Sequence, residues 1–186
     1  MRGNFLAGAF LGAAVLALSA VPADAQRFSG TFSGFNEVGA LNAETGAILS
    51  EGTGTIKLKL DKSSGTITYE LTYSGLSANV TQSHIHFGRV HTPGGIMVFF
   101  CTNLGNGPAG TPACPPTGGT VTGTITAASV LAVPGQNVTA GDFDAVTDAL
   151  FANAAYANIH TVRFPAGEIR AQVRRQHDDD GEGKDK

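Results

Sequence analysis

From residue 55 to residue 73 apolar side chains fall on every second position, with one break. Ile56, Leu58 and Leu60 alternate with Thr55, Lys57 and Lys59; Asp61-Lys62-Ser63-Ser64-Gly65 interrupts; then Ile67, Tyr69, Leu71 and Tyr73 alternate with Thr66, Thr68, Glu70 and Thr72. A period of two puts all the apolar groups on one face only if the chain is extended. Two such runs around a glycine-containing turn make an antiparallel hairpin. Residues 80–87 and 95–101 read as two further strands, joined by a loop carrying Arg89, His91 and Pro93. Residues 102–119 hold four prolines and many glycines and read as loop, and residues 119–130, rich in Thr and Val, as another strand. Phe143, Val146, Ala149 and Leu150 recur at helical spacing, and Thr139 followed by Asp142 resembles a capping box, so one helix is expected over about residues 140–151. A hairpin over residues 156–175 closes the pattern, with Phe164-Pro165-Ala166-Gly167 at its turn. The class is all-β: an antiparallel β-sandwich with Greek-key connections and one short helix.

One domain of about 150 residues is enough for a two-sheet core. Its expected limits are residues 26–175. Residues 1–25 read as a secretory signal peptide: Arg2 opens it, an Ala/Leu/Val/Phe-rich stretch follows, and Ala23-Asp24-Ala25 is a small-x-small cleavage site. The mature chain is thus expected to be secreted or periplasmic, and no later stretch is apolar for long enough to span a bilayer. Residues 26–176 carry nine acidic and nine basic side chains, and the net charge of −3 comes from the acidic end. Without a basic stripe, nucleic acid is not an expected partner. Residues 176–186, with Asp178, Asp179, Asp180, Glu182 and Asp185 and no apolar side chain, are expected to be a disordered tail. In an oxidising compartment Cys101 and Cys114, at the two ends of the Gly/Pro-rich loop, are expected to pair; free thiols are the alternative.

The histidines carry the chemical interest. In Ser83-His84-Ile85-His86-Phe87-Gly88, strand parity puts His84 and His86 on one face and Ile85 and Phe87 on the other. The same parity groups Tyr156, Asn158 and His160 against Ile159, and Glu168, Arg170 and Gln172 against Ile169 and Ala171. The imidazoles are therefore expected on the outer face of a sheet, with Glu168 and Arg170 as outer partners or members of a structural network. Two readings stay open: a hydrogen-bonded network, or a metal site with His84, His86 and His160 as ligands. Nitrogen donors suit copper or zinc rather than calcium or magnesium. His91 lies in a loop and is expected to be exposed, and no nucleophile–base pair or close carboxylate pair points to a catalytic residue.

The segments Ser83-His84-Ile85-His86-Phe87-Gly88, Gly94-Gly95-Ile96-Met97-Val98 and Tyr156-Ala157-Asn158-Ile159-His160-Thr161, with Phe164-Pro165-Ala166-Gly167-Glu168-Ile169-Arg170-Ala171-Gln172, resemble the CHRD (chordin) domain. The likeness spans about residues 28–173, including an opening strand with Asn36-Glu37-Val38, and departs where Ala171 stands in place of the commoner glycine. It implies an immunoglobulin-like sandwich and no particular activity. It points to a non-enzymatic, exported or envelope-associated binding module, whose partner would be an extracellular or envelope ligand. A more distant similarity is to the copper–zinc superoxide dismutase sandwich, which also carries a His-x-His before a glycine. That implies a mononuclear copper or zinc site for metal storage or redox work and, were the chain an enzyme, a metal-dependent oxidoreductase of dismutase type. Residues 102–119 contain neither His nor Asp, so that enzyme's zinc ligands have no counterpart there.

Overall fold

The computed structural model describes residues 25–38 and 46–176, so all of the expected signal peptide but Ala25, and all of the acidic tail but Gln176, lie outside the described residues. Among the described residues nine strands and one α-helix follow in order: β1 (Ala25–Phe32), β2 (Thr53–Asp61), β3 (Thr66–Ser74), β4 (Val80–Phe87), β5 (Gly95–Thr102), β6 (Gly119–Ile125), α1 (Phe143–Phe151), β7 (Ala155–Thr161), β8 (Ile169–Gln172) and β9 (Arg174–Arg175). They form two antiparallel sheets, one of five strands in the order β6-β3-β2-β1-β9 and one of four in the order β5-β4-β7-β8. The chain changes sheet between β3 and β4, between β5 and β6, across α1, and again between β8 and β9. This is the all-β sandwich that the alternation implied.

The β2–β3 hairpin follows the sequence residue for residue. Ile56, Leu58, Leu60, Ile67, Leu71 and Tyr73 are buried while Lys57, Lys59, Thr68 and Glu70 face outward. Its turn closes because the Asp61 carboxylate accepts from the Ser63 amide at 2.9 Å, and Gly65 takes φ +63, a conformation that costs a glycine little. Opposite them, Ile85, Met97, Val98, Phe100, Ala157, Ile159, Ile169 and Ala171 supply the core side of the second sheet, and Val146, Ala149 and Leu150 of α1 join the same core.

Three boundaries differ from expectation. The strand over residues 119–130 stops at Ile125, where a 3-10 turn over Ala127–Ser129 takes the chain off the sheet edge. The helix starts at Phe143, because Asp142 is its N-cap, accepting from the Ala145 amide at 2.9 Å. The last hairpin ends at Gln172: Val173 is buried at a crossover, and Arg174 and Arg175 pair with Ser29 and Phe28 of the other sheet.

Cys101 and Cys114 are joined in a disulfide and buried in the core. The loop it closes is also pinned by Asn103, whose Nδ2 donates to the carbonyls of Val80 (2.8 Å) and Cys114 (3.0 Å) while its Oδ1 accepts from the Cys114 amide (3.0 Å). Reduction is expected to lower stability by about 2–4 kcal/mol without loss of the fold. Denaturant melts with and without reductant, with thiol alkylation and mass measurement as the check, test this; two alkylated cysteines in the unreduced protein would refute it.

Candidate metal centre

Strand parity does what the sequence required of it: Ile85 and Ile159 enter the core, and His84, His86, Asn158 and His160 project from the opposite face of the four-stranded sheet. That face is not open to water. His84 is 0 % exposed, and His86, His160, Asn158, Tyr156 and Arg170 are all buried. The imidazoles take the outer face of the sheet as expected, but that face is covered, because the segments over residues 88–94 and 164–167 fold back over it. Their carbonyls face the rings: Gly94 O stands 2.9 Å from His86 Nδ1 and Pro165 O 2.9 Å from His160 Nδ1. Gly88, the glycine that follows the His-x-His-Phe run, allows this closure, since a Cβ there would lie 2.7 Å from the Tyr156 ring.

The three imidazoles meet. Each offers a ring nitrogen, and these nitrogens lie within 4.8 Å of one another. The ring of His84 lies 4.9 Å from that of His160 and 5.3 Å from that of His86, and the edge-to-face ring of Phe99 closes its remaining side at 4.4 Å. Three nitrogens about 2.1 Å from one ion stand no more than roughly 3.6 Å apart when evenly spaced, so rings whose nitrogens spread over as much as 4.8 Å must draw inward to share one.

Asn158 sits between two of the rings, its carboxamide 3.0 Å from both His86 Nε2 and His160 Nε2. A neutral imidazole has one N–H, and in both rings Nδ1 must use it to reach its carbonyl. Nε2 is then a bare acceptor in both, and only the carboxamide orientation that turns its NH2 toward them pairs every group. The result is two lone pairs aimed at one place and two outer N–H groups held by backbone carbonyls. This is the kind of outer hydrogen bond that orients a metal-binding imidazole.

His84 is different. Neither of its ring nitrogens makes a hydrogen bond of good geometry, although both are fully buried and the Asn158 carboxamide is near enough to act on the ring. Burial, with repulsion from His160 and His86, holds its pKa down to about 2 against the favourable influence of Asn158. Burial, with repulsion from His160 and Arg170, likewise lowers His86 to about 4, opposed by its bonds to Gly94 and Asn158. Burial lowers His160 too, against the Pro165 carbonyl. All three rings are neutral at physiological pH and therefore able to ligate.

Arg170 and Glu168 part company. The Arg170 guanidinium lies 3.3 Å above the Tyr156 ring, and Tyr156 stacks in turn on His86 (4.6 Å, 1° between planes). Its Nη2 donates to the carbonyls of Arg89 and Thr92, each at 2.9 Å, which ties the covering loop to β8. Arg170 thus stands behind the histidines. Glu168 does not converge on them: its carboxylate accepts from Ser50 Oγ (2.7 Å), the Ser77 amide and hydroxyl (2.9 Å each) and Thr161 Oγ1 (2.7 Å). It precedes β8, so the outward parity of that strand does not govern it. His91, with φ +57, is exposed in the covering loop. Asn158 and Tyr156 share the parity of His160 in the sequence, yet no residue pattern marks them as the groups that bridge and back the rings. The two carbonyl acceptors have no sequence signal at all.

The fold and this polar cluster define a class: a two-sheet β-sandwich with a buried histidine cluster on the outward face of one sheet. The chain belongs to the CHRD domain family, whose model matches residues 28–173, and the CHRD domain is a binding-type module. No curated protein and no solved structure matched the chain. Among the described residues no helix is long and apolar enough to cross a membrane.

Proposed function

We propose that this chain is an exported CHRD-type binding module whose ligand is a single transition-metal ion, copper or zinc, held by His84, His86 and His160. The observation that carries the reading is His84. A fully buried imidazole with both nitrogens unpaired costs about 1–3 kcal/mol per unsatisfied group, and nothing in the apolar packing around it repays that. An ion at the bare nitrogen removes the cost at that atom. The neutral tautomers of His86 and His160, set by Gly94 and Pro165, present the second and third ligands. The chemistry such a site offers without a nucleophile or base is capture and holding of the ion.

The test is thermal. Copper or zinc added to the metal-free protein is expected to raise the melting temperature, with a stabilisation of about 2.7 kcal/mol at a hundredfold excess over the dissociation constant. His84→Ala and His160→Ala are each expected to abolish that shift, and it should fade below about pH 6 as protons compete for imidazole. The rival reading, a purely structural network centred on Asn158, is supported by the way its carboxamide joins His86 and His160. It predicts no response to metal together with destabilisation by both substitutions, and that outcome overturns the proposal.

A further inference from the structure

We infer that the three-histidine site selects a monovalent ion, copper(I), over divalent zinc or copper(II), because its ligands bring no negative charge to a buried position. The inference rests on the metal-binding reading above and adds the identity of the ion to it. Among the described residues the cluster contains no carboxylate and no thiolate. Glu168, the acidic group next to β8, is committed to Ser50, Ser77 and Thr161. Behind the ligands Arg170 lies against Tyr156 and Tyr156 against His86, and the buried Glu37 carboxylate, which acts on both Arg170 and Tyr156, offsets the guanidinium without being one of the ligands.

Imidazole ligates as the neutral ring, so the complex keeps the full charge of its ion. The desolvation cost of a buried ion grows with the square of its charge, which makes a divalent ion about four times as costly to place here as a monovalent one. Zinc further demands a fourth ligand to complete its tetrahedron, water or hydroxide in open sites. The group at hand in this site is the Asn158 carboxamide, which is neutral. Copper(I), with half the charge of zinc(II), is satisfied by three nitrogens in a plane, and the Phe99 and Tyr156 rings wall the site with apolar, polarisable surface. Imidazole alone accepts either metal, so the missing charge decides.

Anaerobic competition titrations of the full chain against a colorimetric copper(I) chelator, and against matched chelators for zinc(II) and copper(II), test the inference. One copper(I) per chain is expected, bound at least about 100-fold more tightly than zinc(II), a ratio on the scale of one uncompensated unit charge at an effective dielectric constant of about 20. Zinc binding as tight as copper(I) binding, and lost in His84→Ala, would overturn the selectivity and leave the three-histidine site standing. Binding of neither ion would remove both. Asn158→Asp, which adds the missing carboxylate, is expected to shift the ratio toward zinc by about tenfold or more. An unchanged ratio in a folded variant refutes the charge argument, and if the variant does not fold the wild-type titration decides by itself.

Discussion

Acidifying the metal-free protein from pH 7.5 to pH 5 is expected to remove about 2 kcal/mol of stability for each of His84 and His86, with His160 adding in the same direction. The pKa values of the folded protein lie below the ordinary 6.5, at about 2 for His84 and about 4 for His86. The unfolded chain therefore takes up protons that the folded chain refuses. This contribution is complete above about pH 6.5 and is lost progressively as the pH falls, to about 4 for His86 and about 2 for His84. Against a typical domain stability of about 5–15 kcal/mol, the loss is a large part of the total. Urea unfolding of the chelator-treated protein at the two pH values measures it, and equal midpoints would show that the rings are not held neutral. Bound metal should enlarge the difference, because the same protons then also displace the ion.

Glu168→Ala is expected to cost about 3–5 kcal/mol, because it leaves four donors without the charged acceptor that they share. Four donors from three separate segments end on this one carboxylate. Burial opposes its ionisation, but those donors prevail and the pKa is lowered. Its contribution is thus present above the ordinary carboxylate range and is lost as the pH falls through and below it, in a window beneath that in which His86 and His84 begin to act. Glu168→Gln keeps the shape but sets an NH2 against some of the donors, and should cost roughly half as much. Denaturant melts of both variants check the sizes. Metal titration of Glu168→Gln should match the parent, because the carboxylate faces away from the three imidazoles. A loss of less than about 1 kcal/mol for Glu168→Ala would show that water replaces the carboxylate at little cost.

The hairpin of β2 and β3 was legible in full because each residue on it has one of two environments and alternation states which. The helix was legible in kind, but its start was not: Thr139 and Asp142 are both good caps by composition, and the choice fell to the positive φ of Gly141, which turns the chain just before Asp142. The last hairpin was read two or three residues too long, since an alternating strand that crosses from one sheet to the other keeps its period across the crossover.

For the site, sequence alone determined that His84 and His86 share a face, that Tyr156, Asn158 and His160 share one, and that Ile85 and Ile159 take the other side, because side-chain direction on a strand is a local property of the backbone. Only the tertiary structure decided that β4 and β7 are neighbours, with His84 opposite Asn158 and Gln82 opposite His160, since pairing between strands some 75 residues apart depends on the whole sandwich. Only it decided that the outward face is covered, that Asn158 bridges two rings while His84 is left unpaired, and that Glu168 turns to Ser50 and Ser77. The covering of that face depends on loops whose backbone carbonyls hold His86, His160 and Arg170, and a carbonyl is the same for every residue type. A sequence can therefore state which side chains face which way, but not which backbone oxygens will meet them.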